Sequence, residues 1–312
     1  MLVKGGVVAQ QGECDILVGM SDISQCERRW HHFTSSRGEG SWRHCQASRP
    51  IKRFFRGCLS ILGVVLHPLG RFSGRWLGRL RTPERLQRGL VLVLPGIEGE
   101  SCINHSIARG LADGGVQAAI EIFDWTTGVI LLFPYHLRGL RRNLARADRL
   151  AARIVAYRKA YPGREVHLVG HSGGGALSVL TLERLPAGTT VTSTVLLQAA
   201  ISPTHDLSVA LAKTERGIWN FSSYLDGFFC GLFTILGGTV DGRHTPAAGM
   251  IGFCPPDGLD AAAKELYATQ LHEVPFRPEM CAAFHFGGHM GATNRVFVAE
   301  RIAPLLQGDG AG

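Results

Sequence analysis

The 312-residue chain lacks any run of the ~18–20 apolar residues that a membrane-spanning helix needs. Residues 1–20 lack the ordered basic, apolar and small-residue regions of a secretory signal. The eight cysteines, at positions 14, 26, 45, 58, 102, 230, 254 and 281, form no CxxC pair and no short-domain disulfide spacing, so they read as mostly reduced thiols. Cys26, His31, His32, His44 and Cys45 match no zinc spacing, and no metal or organic cofactor is expected. No internal repeat is visible. These absences exclude a membrane-spanning protein, a disulfide scaffold and a repeat array. They suit a cytoplasmic globular protein.

Acidic charge is also scarce, but only at one end. Residues 1–88 hold 15 Lys+Arg against 6 Asp+Glu, whereas the rest of the chain holds 18 against 19. The net charge of +8 therefore belongs to the N-terminal segment. Such a segment is a solvated arm or meets anionic lipid; it carries no recognised nucleic-acid motif, so nucleic acid is not an expected partner. Within it, KRFFRGCLSILGVVLHPLG (52–70) sets an apolar stretch between Lys52, Arg53 and Arg56 on one side and Arg71, Arg75 and Arg79 on the other. Its length fits an interfacial anchor, with peripheral membrane contact, or a helix docked on the domain. A lipoprotein signal would place the apolar run before its cysteine, and here the run follows Cys58.

What the chain does have is glycine, 40 residues, and a 45% hydrophobic content that supports a buried core. Residues 1–50 show little periodicity and read as a weakly ordered extension; 51–88 form the basic amphipathic segment; 89–312 read as the catalytic domain. In that last part short apolar runs alternate with helical patterns, as in a doubly wound parallel sheet with helices on both faces. The runs are 89–96, 116–123, 165–172, 191–198, 218–225 and CAAFHFGG (281–288), with helices near 102–113, 137–160, 173–185, 205–213, 259–270 and 293–306. In the second helix Leu137, Leu140, Leu144, Ala147, Ala151 and Ile154 make one apolar face, and Arg138, Arg142, Arg146, Arg149 and Arg153 a solvated one.

The stretch VHLVGHSGGG (166–175) matches G-x-S-x-G where that motif has meaning, between a β-run and a helix-former. Side chains at the flanking glycine positions would clash there, so the glycines let the turn close and leave the Ser172 hydroxyl standing alone. The Gly173 amide, at the helix N-terminus, can stabilise an oxyanion. A serine hydroxyl is a weak nucleophile until a histidine takes its proton and a carboxylate orients that histidine. Where the nucleophile sits in this motif, acid and base follow it in that order. His289 in FHFGGHMGATNRVF is the expected base, with His285 the alternative inside the preceding strand. Asp226 in NFSSYLDGF is the expected acid, with Asp241 and Asp206 as competitors. LPGIEGES (94–101) supplies the second oxyanion donor, the Ile97 amide, or else that of Gly96. Asn104 and His105 line the pocket or cap a helix, and Asp124 and Trp125 form a wall or a turn.

With LPGIEGES, GHSGGG, SYLD and GGHMG, residues 89–306 resemble the serine-nucleophile α/β-hydrolase superfamily, of lipase or esterase type. The resemblance implies a mostly parallel eight-stranded sheet, Ser172 as nucleophile, Asp226 as acid, His289 as base, and ester or related acyl bonds as targets. PGI stands where many members have HG, which bears on pocket shape more than on chemistry. The interval from Gln198 to the run at 218 is too short for a large cap, so a minimal cap is expected; GFFCGLFTILGG (227–238) either roofs the site or packs on the sheet. A small-molecule or lipid acyl ester is the expected substrate, with thioester, peptide or acyl-transfer chemistry, or a non-catalytic binding scaffold, as the alternatives. Oligomeric state is open.

Overall fold

The computed structural model describes residues 50–66, 74–127, 136 and 139–308. The extension at 1–49, with its cysteine and histidine pairs, and Arg71, Leu137 and Arg138 lie outside the described residues. Six strands form one sheet in the order β2-β1-β3-β4-β5-β6, every neighbouring pair parallel. They are β1 (Leu90–Leu94), β2 (Ala119–Ile122), β3 (Val166–His171), β4 (Ser193–Leu197), β5 (Ile218–Ser222) and β6 (Leu271–Pro275). This is the α/β-hydrolase arrangement, with six strands among the described residues where the resemblance implies eight.

β1 shows why the runs are continuously apolar. Successive side chains of a strand point to opposite faces, and a parallel sheet is covered on both. Leu90, Leu92 and Leu94 enter the core on one face, and Val91 and Val93 enter the core on the other. The first face is covered by α3 (Leu140–Ala160) and α4 (Gly173–Glu183), through Leu150, Ile154, Leu177 and Leu180. The second is covered by α2 (Cys102–Asp113) and by the terminal helical stretch from Arg295 to Gln307, through Ile107, Leu111, Val298 and Ile302. On α3 the apolar face includes Ala147, Ala151 and Ile154, but Leu140 at the first turn is exposed. Of its arginines, Arg153 reaches Glu121 of β2 at 2.9 Å.

One strand lies elsewhere than the sequence suggests. The expected run CAAFHFGG (281–288) is a 3₁₀ turn, Pro278–Ala283, followed by a loop, and the sixth strand is LHEVP, just after the helix Ala261–Gln270. LHEVP is an edge strand among the described residues: it has one neighbour there, carries His272 and Glu273, and ends at Pro275, which cannot donate to a ladder. CAAFHFGG is apolar for another reason. Phe284, in the left-handed conformation (φ 65°), packs on helix α1 (Pro50–Val65), and His285 packs between Phe276 and Phe297.

Helix α1 is docked on the domain. An added Cβ at Gly57 would fall on the Phe284 ring, so the close approach needs glycine there. Asn294 Nδ2 donates to the Gly57 carbonyl at 3.1 Å, the Arg295 amide donates to Ser60 Oγ at 3.1 Å, and Arg53 pairs with Glu300 and Arg56 with Asp113. Two of the basic residues that flank the apolar stretch thus hold the helix to the protein. Its outward face stays apolar, with Ile51, Phe54, Phe55, Leu59, Leu62 and Val65 all exposed. No described helix is long and apolar enough to cross a membrane.

Candidate active site

Ser172 stands at the corner between β3 and α4 with φ 53° and ψ −119°, a conformation that costs energy for any residue with a Cβ. The fold holds it there. Its amide donates to the Leu197 carbonyl of β4 at 2.9 Å, and its own carbonyl accepts from the amides of Gly175, Ala176 and Ala200. The flanking glycines are sterically required: a Cβ at Gly170 would meet the Gly174 backbone, and one at Gly174 would meet the carbonyls of Leu94 and Pro95. Ser172 is nearly buried, and its hydroxyl makes no hydrogen bond with the described residues.

Asp226 follows β5, and His289 lies in the loop between β6 and the terminal helices. They meet as a buried pair. His289 Nδ1 donates to Asp226 Oδ2 at 2.5 Å, while Asp226 Oδ1 accepts the Cys230 amide at 3.2 Å. With its proton held on Nδ1, the His289 ring keeps Nε2 as a bare acceptor. Two further contacts fix the histidine. His171, the neighbour of Ser172, donates from Nε2 to the His289 carbonyl at 3.0 Å, and the two rings lie 4.9 Å apart. Phe229 stacks on the His289 ring at 4.7 Å. His171 is buried beside His289, and burial first, then that neighbour, drives its pKa down to about 3, so it remains neutral. The Ser172 hydroxyl and the His289 ring are not hydrogen-bonded; links of this type tighten when substrate binds.

The competing acids are engaged elsewhere. Asp241 accepts the Ser202 amide at 3.0 Å and faces His205 Nδ1 at 3.2 Å, with Glu183 on the other ring nitrogen at 2.6 Å. Asp206 takes the Ser208 amide and hydroxyl and the Tyr267 hydroxyl. His285 is buried, its Nδ1 accepts the Gly287 amide, and burial lowers its pKa to about 4.

In the loop after β1, Ile97 lies against Gly173: its Cγ2 is 3.1 Å from where a Gly173 Cβ would be. Neither the Ile97 nor the Gly173 amide has an acceptor among the described residues. The Gly96 amide is taken by Glu98 Oε1 at 3.2 Å, which leaves Ile97 as the donor available to a ligand. Asn104 both caps α2, accepting the Ser101 amide at 2.8 Å, and reaches Glu98 with its Nδ2 at 3.4 Å. His105 pairs with Glu100 and meets Trp76 edge-on. Asp124 closes a turn through Thr126, and the buried Trp125 donates to the Pro95 carbonyl at 2.7 Å and walls the Gly173 side.

Sequence reasoning gave no role to Cys230, His171 or Glu98: His171 and Glu98 lie inside the quoted motifs, but their contacts, like those of Cys230, are set by the fold. Asp226, Cys230 and His289 bring three ligand-type atoms within 4.8 Å of one another, the one such group among the described residues. The donor set does not suit a metal. Nδ1 is committed to the carboxylate, and burial, with Asp226 beside it, pushes the Cys230 thiol well above its usual pKa, whereas a metal needs thiolate.

No protein-family model matches the chain, and no curated protein matches it significantly. Several solved structures are similar to it. They include a dienelactone hydrolase-like promiscuous phosphotriesterase from metagenomic libraries (15% identity, 71% of this chain and 86% of that one, TM-score 0.41). Est1E from Butyrivibrio proteoclasticus is another (13%, 74% and 90%, 0.41). Aspergillus fumigatus lipase B is a third (12%, 73% and 54%, 0.44). Similarity at that level carries no residue role and no substrate across to this chain.

Proposed function

We propose that the protein is a serine hydrolase that cleaves carboxylic esters through Ser172, His289 and Asp226. One observation above all supports this: a buried Asp226–His289 pair with Nε2 left bare, tied by His171 to the strained serine corner. Ser172 Oγ attacks the ester carbonyl while His289 Nε2 takes the hydroxyl proton, and Asp226 stabilises the imidazolium that forms. The Gly173 and Ile97 amides receive the oxyanion. The intermediate then collapses, His289 returns the proton to the departing alkoxide, and an acyl-enzyme remains. Water, deprotonated by the same histidine, hydrolyses it. The Ser172→Ala variant is expected to lose hydrolysis of short p-nitrophenyl esters with an unchanged circular dichroism spectrum; wild-type turnover in that variant would refute the assignment.

The surroundings favour an acyl substrate of lipid type, presented at a surface. The segment past the acid, Gly227–Phe233 continued by Thr234–Gly237, turns Phe228, Leu232 and Leu236 outward and lays Phe229 over the base, so it roofs the site. Exposed Leu225 and Phe286 follow, and the half-buried Phe284 links Phe286 to the exposed Phe54 on α1. Contiguous apolar patches are uncommon on monomers unless they bind something. With the basic N-terminal charge, the face suits an anionic lipid surface. The full-length protein is expected to cosediment with anionic phosphatidylglycerol vesicles and to lose that on Phe55→Ser; equal retention of both would contradict the lipid reading.

A further inference from the structure

Glu98 is the group at this site that the mechanism above leaves unused. It follows Ile97 in the loop after β1, and the carboxyl of this half-buried residue folds back over Gly96. A Cβ built on Gly96 would fall against Glu98 Oε2 and, at 3.2 Å, against the Cβ of Ser172, so carboxyl and serine flank the same point. Its two oxygens differ. Oε1 accepts from the Gly96 amide at 3.2 Å and from Asn104 Nδ2 at 3.4 Å, the residue's own backbone amide also acts on the carboxyl, and Oε2 is the oxygen on the Ser172 side.

We propose that Glu98 is a further catalytic residue: it keeps its proton in the working enzyme and donates a hydrogen bond from Oε2 to the substrate carbonyl oxygen as that becomes an oxyanion. This rests on the serine hydrolase assignment. An ionised carboxylate beside the Gly173 and Ile97 amides would repel the oxyanion those amides are placed to receive, in a buried site where charges interact strongly. A protonated carboxyl reverses the effect: Oε1 already accepts from two donors, which favours the proton on Oε2. Burial is the largest influence on the group and raises its pKa, against the hydrogen bonds it accepts and the charge of His289. The groups around it are Asn104 from α2, Ser172 from the corner and His289 from the C-terminal loop. Glu100 on its own loop is taken by His105, and Asp124 by the Glu100 amide and Thr126. The Glu98 proton is not consumed. The proton from Ser172 travels through His289 to the leaving oxygen.

The test compares wild type, Glu98→Gln and Glu98→Ala on p-nitrophenyl acetate from pH 5 to 10, alongside the rate of fluorophosphonate labelling of Ser172. Wild-type kcat is expected to fall on the alkaline side as Glu98 ionises. Glu98→Gln, which keeps a neutral donor in the same place, should lower neutral-pH kcat several-fold and abolish that fall. Glu98→Ala should lower kcat by about 100-fold, with KM changed less. As a readout that does not depend on turnover, difference infrared spectroscopy of the wild type at pH 7 should show a protonated-carboxyl band that Glu98→Gln lacks. An unchanged alkaline fall in Glu98→Gln, or no such band, overturns the role of Glu98 while Ser172 still labels. Failure of Ser172 to label overturns the underlying assignment as well, and the two outcomes are distinct.

Discussion

Asp226→Asn is the substitution whose consequence follows most directly from the geometry. The carboxylate is buried, and its two oxygens have separate duties, Oδ2 to His289 Nδ1 at 2.5 Å and Oδ1 to the Cys230 amide. Asparagine offers one acceptor and one donor group. If the amide nitrogen faces His289, two donors oppose each other and the ring must move its proton to Nε2, which removes the base. If it faces Cys230, the tautomer survives but the imidazolium loses its counter-charge and a buried amide is orphaned. Either way the transition state loses stabilisation. The expected fall in kcat is about 10³–10⁴-fold, which is about 4–5 kcal/mol on the barrier. Initial rates on a p-nitrophenyl ester measure it, with circular dichroism to establish that the variant is folded. Asp241→Asn is the control, because that carboxylate serves His205 instead. A loss below tenfold in Asp226→Asn, or an equal loss in Asp241→Asn, would refute the assignment of the acid.

Two other predictions concern stability. Burial pulls the His205 pKa down, but Asp241 and Glu183 on its two ring nitrogens outweigh it and raise the value to about 9. A raised histidine pKa gives stability that is complete below about pH 6.5 and is lost as pH rises through about 9, on the order of 3 kcal/mol; urea denaturation of His205→Gln should show that dependence flattened, and an undiminished slope would contradict it. Gly174→Ala forces a Cβ onto the carbonyls of Leu94 and Pro95 and should cost about 2 kcal/mol or more in urea denaturation, whereas Gly78→Ala, which has open space, should be near neutral; equal effects would mean that the corner is not sterically closed.

Much of this was legible before any coordinates. Five of the six apolar runs are strands because a parallel sheet buried on both faces demands unbroken apolar stretches, and those stand out. The glycines around Ser172 announced a corner for the same kind of reason, a steric one that acts on neighbours in the chain. The sixth strand was misread because an edge strand needs only one apolar face: LHEVP is short and includes His272 and Glu273, while CAAFHFGG is apolar through its packing on α1 and Phe297. The partners of the site differ in the same way. Asp226 and His289, which pair in the structure, could be named as candidates because chain order constrains them. His171, Cys230 and Glu98 could not, because what they contribute depends on contacts between residues 59 to 118 positions apart, or, for Glu98, on a loop folding back over itself.

The central claim, that Ser172 is a nucleophile activated by His289, is tested most directly by covalent labelling. The folded protein is treated with a fluorophosphonate, its intact mass is measured, and the adduct is located by peptide mapping. One adduct on Ser172 is expected, absent from Ser172→Ala and slowed by more than a hundredfold in His289→Ala. An unlabelled wild-type protein, or an adduct on another residue, would contradict the account.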